Sequence, residues 1–361
     1  WLAQQPPGVI LELPMLHAGT GNQLDLSRQY YSTYHWQSSP DGYSGFVPPR
    51  RGEIAYEMEK LPNDRALALL AALDIKYLFV HIDQFAPETR DDLNHALAVS
   101  RGLTFLRQFG STWVYRVETV RGGPNMSTML YVPNPVQAEA PFYAYLLLKN
   151  LNPHSFAVKP TDKLVLSARW NGGRFERVET AIPLVTSSAS VVPILLHSPA
   201  TMGPAHLELS SDDGLLGTFS VASEVSVGKE RASEVPVPAR VGLARPLRRV
   251  YSAGESMAID LTWRAENKID AYYSFSLRVV DARGNKIVAE DRQPNPPTLL
   301  WRPEENYVER VNLTLPANVA PGRYRLELLL YQADDDVSVL LLDDQNVPLN
   351  VIELGEIEVT K

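Results

Sequence analysis

The chain contains no cysteine, which excludes disulfides, thiolate nucleophiles, iron–sulfur clusters and cysteine-ligated zinc together. An extracellular eukaryotic chain of this size ordinarily carries disulfides, so an outside location points to bacteria. Basic character is lacking too. With 34 Lys and Arg against 42 Asp and Glu the net charge is −8, and the phosphate-neutralising footprint of a nucleic-acid binder is missing. No apolar run reaches the roughly 20 residues that a membrane helix needs; Leu67–Val80 and Leu326–Tyr331 are too short or interrupted. No Gly-x-Ser-x-Gly elbow, dinucleotide fingerprint or P-loop occurs, and Gly42-Tyr-Ser-Gly-Phe46 has the wrong spacing for the first. The seven histidines include no pair three to five residues apart, so no metal site is predicted, and no cofactor. The chain opens on Trp1 without a signal sequence, as a processed chain or an excised piece would.

Proline, by contrast, is abundant at 28 of 361 residues, and hydrophobic residues make up 45%. This balance favours strands and turns in two to three domains with real cores. The expected architecture is α+β multidomain: a small α/β domain over residues 1–121, then two all-β, immunoglobulin-like sandwiches over 122–230 and 239–361.

In the first domain, Gly8-Val-Ile-Leu-Glu-Leu-Pro14 reads as a buried strand. A polar and aromatic loop region then extends to about Pro49. Asp64–Leu73 is rich in helix formers behind a capping Asn63, Lys76–Ile82 is a strand, and Glu88–Arg101 a second helix. Leu103–Phe109 and Thr112–Val117 form a hairpin. Beyond Gly122-Gly-Pro124 long amphipathic helices nearly vanish and strands follow at sandwich spacing, including Leu215–Val221 after a tight turn at Ser211-Asp-Asp-Gly214. Gly228–Pro238 reads as a linker. In the last domain Met257, Ile259, Leu261 and Trp263 alternate with polar residues, and Tyr307, Glu309, Val311, Leu313 and Leu315 share a face.

Candidate chemistry gathers in the first domain. Gln29–Phe46 packs Tyr34, His35, Trp36 and Tyr43 beside Asp41 and several serines. Rings next to hydrogen-bonding groups suit a sugar, which offers apolar C–H patches and hydroxyls together; packing of those rings onto the sheet is the alternative. His81 ends an apolar strand, where ligand crevices of α/β sheets open, and Asp83 shares its face if the strand continues. Glu12, Asp25, Asp41, Glu53 and Asp83 supply carboxylates for a hydrolytic pair, and the acidic runs Asp334–Asp336 and Asp343-Asp344 are either calcium-gathering or solvated turns.

Two regions carry a family resemblance. Pro7–Pro14, Tyr30-Tyr-Ser-Thr-Tyr-His-Trp36, Gly42–Phe46 and Ala72–His81 resemble the extracytoplasmic region that follows the last membrane helix in large bacterial polytopic proteins similar to GT-C glycosyltransferases. The ending, with Trp301-Arg-Pro, Pro321-Gly-Arg-Tyr-Arg325 and Leu354-Gly-Glu-Ile357, resembles a β-sandwich appended to the same class. In that family the catalytic acid lies in a loop between early membrane helices, so no catalytic residue transfers to this chain. The resemblance implies a membrane-tethered, outward-facing, non-catalytic module. Its partners would be the membrane-embedded part of the same polypeptide and a cell-envelope glycan or lipid-linked sugar. A secreted glycan hydrolase and a purely structural surface protein remain open.

Overall fold

The computed structural model describes residues 1–15, 22–41, 50–118, 123–230, 232, 234–269, 271–332 and 337–360, without the side chains of 22–26. Strands account for 49% of residues and helices for 15%, so the fold is β-dominated. By contacts the chain divides into two compact units. The first comprises Trp1–Met126, Asn150–Leu164 and Ala181–Ser187; the second comprises Ser127–Lys149, Val165–Thr180 and Ser188–Lys361.

The first unit is built on a four-stranded sheet. In chain order its elements are β1 (Val9–Leu13), α1 (Asn22–His35), α2 (Arg51–Met58), α3 (Asp64–Ala72), β2 (Ile75–His81), α4 (Pro87–Val99), β3 (Leu103–Phe109) and β4 (Thr112–Val117). The strand order is β1-β2-β4-β3, with β1 parallel to β2 and the other pairs antiparallel. Asn63 starts α3 by accepting a hydrogen bond from the Ala66 amide at 2.9 Å, and Pro87 starts α4 at a position where its missing N–H costs nothing. Alternation along β1 sends Leu11 and Leu13 into a core shared with Ile54 and Met58 of α2, Leu69 and Leu70 of α3, Leu78 and Val80 of β2 and Tyr115 of β4. Arg65, almost wholly buried, pairs with the Glu57 carboxylate through Nε at 2.9 Å and donates to Ser187 Oγ at 3.0 Å, fastening α3 to the later segment of the unit.

Helix α1 replaces the loop expected before Pro49. No apolar stripe announces it: Tyr30, Tyr31 and Tyr34 face solvent, and the spacing of Arg28, Ser32 and His35 gives it a polar second face.

Apart from a single 3-10 turn at Thr298–Leu300, the regular structure of the second unit is β among its described residues. A five-stranded sheet that includes Lys163–Trp170, Gly203–Ser211 and Phe219–Gly228 accompanies a three-stranded sheet built on Pro141–Asn150 and Ala189–His197. Phe142 and Trp170 place ring centroids 6.0 Å apart between them, and Trp170 Nε1 donates to the His197 carbonyl at 3.0 Å. The strand expected at Leu215–Val221 is instead Phe219–Gly228. Its connection is longer than a two-residue turn because the Asp213 carboxylate accepts from the amides of Leu215 (3.0 Å) and Val165 (2.8 Å) and holds the loop open. Within the expected linker, Glu234–Pro236 pairs in parallel with Val337–Leu342, its backbone groups being satisfied by that edge.

The C-terminal part is a sandwich. The sheet of Ala239–Leu243, Ser256–Ala265 and Asn306–Thr314 faces an eight-stranded sheet that contains Ser274–Val280 and Gly322–Gln332, and side chains of both fill one core. At its centre Trp263 lies 5.5 Å from Phe275 and 5.3 Å from Trp301, ring to ring. Glu309, on the same buried face as Val311 and Leu313 as its spacing predicts, accepts from Trp263 Nε1 at 2.6 Å and meets Arg292 at 2.7 Å. An acid is tolerated there because both of its partners are donors. Glu309→Leu keeps the volume but orphans the indole N–H. We expect it to lower the unfolding free energy by about 1–3 kcal/mol, read from the urea midpoint of the tryptophan fluorescence transition; an unchanged midpoint would contradict this role.

Candidate functional site

The face of β1 opposite the core carries Ile10 and Glu12. Along the free edge of β1 runs the segment after α1: the Ile10 amide donates to the Ser38 carbonyl (2.8 Å), the Ser38 amide to the Gly8 carbonyl (3.2 Å), and the Gly8 amide to Gln37 Oε1 (2.7 Å). These bonds fix Gln37, Ser39 and Asp41 beside the strand. With Arg28, Gln29 and Ser32 of α1 they enclose a pocket of about 290 Å³ over Ile10 and Glu12.

Charge in this pocket is organised in two groups. Glu12 Oε2 lies 2.8 Å from His81 Nε2 and 3.6 Å from Arg28 Nε. His81 Nδ1 is 2.8 Å from Thr112 Oγ1. When the ring is neutral, Nε2–H donates to the carboxylate and Nδ1 accepts from the threonine hydroxyl. Arg28 also donates through Nη1 to the Pro14 carbonyl (3.0 Å) and through Nη2 to Gln84 Oε1 (2.9 Å). The second group is Asp41, whose Oδ1 accepts from Arg51 Nε at 2.6 Å. Its side chain is only 9% exposed, and its Oδ2 is buried with no hydrogen-bond partner among the described residues. A buried acceptor left in this state costs about 1–3 kcal/mol.

His35 closes α1, and its Nδ1 accepts from the Gln37 amide at 3.0 Å. Burial pushes its pKa below the ordinary histidine value, and the negative charge of Glu12 opposes that shift without cancelling it. Because the folded pKa is depressed, the unfolded chain binds this proton more readily. The stabilisation contributed by neutral His35 is therefore complete above the unfolded value of about 6.5 and is lost as pH falls through it towards the folded value.

The sequence-predicted residues separate into several places. Asp41 lines the pocket and His35 sits where the Glu12 charge reaches it. Tyr34, 65% exposed, joins Tyr30 and Tyr31 in a solvent-facing cluster with ring centroids 5.8–6.3 Å apart. Trp36, 84% exposed, follows the helix end at φ 56°. His81 stands behind Glu12. Asp83 does not continue the face of His81, because β2 stops there and a single 3-10 turn, Ile82–Gln84, takes over; its carbonyl accepts from Arg90 Nη2 at 2.7 Å. Tyr43 lies outside the described residues, as do Asp334–Asp336. Asp343 spends Oδ1 on the amides of Gln345 and Val347, the arrangement of a self-capped turn. Among the described residues no three His, Asp or Glu side chains gather as metal ligands. Arg28, Ser32, Gln37 and Arg51 were not singled out as site residues from sequence. The spacing of Arg28 and Ser32 signals a shared face only once the segment is known to be helical.

No family model and no curated protein matches the chain. Among solved structures it is similar to the Yersinia pseudotuberculosis adhesin InvE, at 11% identity over 65% of this chain and 59% of that one, with TM-score 0.18. It is also similar to the Escherichia coli adhesin FdeC, at 11% identity over 72% of this chain and 81% of that one, with TM-score 0.20. The native Escherichia coli alpha-2-macroglobulin follows at 10% identity over 72% of this chain and 19% of that one, with TM-score 0.21. Scores of this size fall well below those of chains that share a fold.

Removing the Glu12 charge tests the electrostatics of the site. In Glu12→Gln the His35 pKa should fall further below its wild-type value, followed by imidazole NMR shifts against pH. A wild-type His35 midpoint at or above the ordinary histidine value, or an upward shift in the variant, would contradict the assignment.

Proposed function

We propose that the chain is a non-catalytic saccharide-contacting module on the outer side of a bacterial envelope, with its binding site in the α/β unit. The observation that carries this reading is the division of labour on α1. Arg28, Gln29 and Ser32 line a polar pocket that Glu12 and Asp41 complete, while Tyr30, Tyr31 and Tyr34 of the same helix present exposed rings. The pocket offers polar groups to the hydroxyls of one ring, and the tyrosines, on the other side of the helix, offer aromatic faces to the C–H surface of neighbouring rings of a longer glycan. The pocket, at about 290 Å³, falls just short of the range of about 300–1,000 Å³ for small-molecule sites, which suits one ring of a longer glycan.

The outward location, and a role beside a membrane-embedded glycosyltransferase-like body, are supported by the resemblance of residues 7–14, 30–36, 42–46 and 72–81 to such regions. The absence of cysteine is consistent with a bacterial origin. The immunoglobulin-like sandwiches would serve as spacers that carry the α/β unit.

Saccharide binding is read by calorimetry against a panel of envelope oligosaccharides. For a glycan that binds, Tyr30→Ala and Tyr34→Ala should each weaken affinity several-fold, as about 0.5–1.5 kcal/mol per aromatic contact requires, with circular dichroism unchanged. Turnover of the same glycans by the purified chain would replace this reading with a hydrolase, and wild-type affinity in both variants would remove the aromatic cluster from the site.

A further inference from the structure

Among the described residues, every charge that lines the pocket is matched within the protein. Glu12 meets Arg28 at 3.6 Å and His81 at 2.8 Å, and Asp41 meets Arg51 at 2.6 Å. Arg28 has further acceptors in the Pro14 carbonyl and Gln84. None of the two acidic and two arginine side chains is more than 19% exposed, so water does little to replace a partner that is lost. What the lining offers without charge is hydrogen bonding. Ser39 Oγ accepts from the Asp41 amide at 3.1 Å and keeps its proton to give. Ser32 spends its proton on the Gln29 carbonyl at 2.6 Å and keeps its capacity to accept, and the Gln29 carboxamide can do both.

We infer that the pocket takes an electrically neutral sugar ring and turns away both uronic acids and amino sugars. This rests on the saccharide reading and names the substrate class within it. A ring that carries a carboxylate or an ammonium group would leave water for a site whose counter-charges are already claimed, and a charge moved in this way is costly. To gain a partner it must draw Arg28 or Glu12 out of their pair, which strands the group left behind. A hydroxyl meets neither cost. It donates to an oxygen of Glu12, Ser32 or Gln29 and accepts from Ser39 or the Gln29 N–H₂ while both ion pairs stay closed. Selection is by exclusion of the wrong ligand rather than by added attraction to the right one.

The test compares the β-1,4-linked tetrasaccharides of glucose, N-acetylglucosamine, glucosamine and glucuronate, which share a linkage and differ in charge. Calorimetry is run at mildly acidic pH, where the amine is protonated and the uronate ionised, and at physiological salt, which screens the −8 charge of the whole chain. At least one of the two neutral tetrasaccharides should bind about tenfold or more tightly than either charged one. Glu12→Gln keeps a hydrogen-bonding group opposite His81 and releases the Arg28 charge, so the penalty on the glucuronate chain should shrink several-fold while that on the glucosamine chain grows. Arg28→Gln should do the reverse, and circular dichroism verifies the fold of each variant. Should neither variant fold, the wild-type ranking alone decides. A charged tetrasaccharide that binds the wild-type chain as well as the neutral ones, or a ranking unmoved in both folded variants, overturns the neutral-ring assignment while the saccharide reading stands. No binding of any of the four counts against both.

Discussion

A carboxylate on a strand that otherwise buries aliphatic side chains has to be paired, and Glu12 sets that requirement for the α/β unit. Its neighbours Leu11 and Leu13 fill the core, so alternation leaves Glu12 on the opposite face. At 19% side-chain exposure it is too enclosed to rely on water alone. His81 comes from the adjoining strand and Arg28 from α1 to meet it. The contact that neutralises Glu12 is thus also the one that brings the polar side of α1 over the sheet. Ser38 extends the edge of β1, and the space between helix and edge segment is the pocket.

The C-terminal sandwich obeys the same rule with a different outcome. Glu309 is buried among aromatic rings and is held by a hydrogen bond from Trp263 and an ion pair with Arg292. Asp41 is comparably enclosed and is held by Arg51. In each, one carboxylate oxygen has no hydrogen bond among the described residues, and an arginine meets the charge. What sets the Asp41 pair apart is its place in the lining of the pocket.

Where side chains alternate strictly between core and solvent, sequence reading and structure agree closely. Met257, Ile259, Leu261 and Trp263 are all buried, and α3 and α4 lie within two residues of the expected bounds because helix formers and end signals coincide. Reading failed at α1, whose outward side is aromatic and whose second side is polar, an inversion of the pattern that betrays most helices. It failed again at Asp83, since nothing in the residues Ile82-Asp83-Gln84 marks where β2 gives way to a turn. Asp41 was recognisable as a polar group in an aromatic-rich segment. Its partner Arg51 and the Glu12–His81–Arg28 group depend on pairings across 10 to 69 residues of chain, which no local pattern encodes.

The most direct measurement is a chemical-shift map of the isotopically labelled chain on titration with the envelope oligosaccharides of the calorimetric panel. The account predicts saturable shifts at the Ile10 methyl groups, the Ser32 and Ser39 amides and the Asp41 carboxyl, with the Trp263 indole unmoved. Shifts confined to the sandwich strands, or an unperturbed Ile10 and Asp41 at saturating sugar, would contradict it.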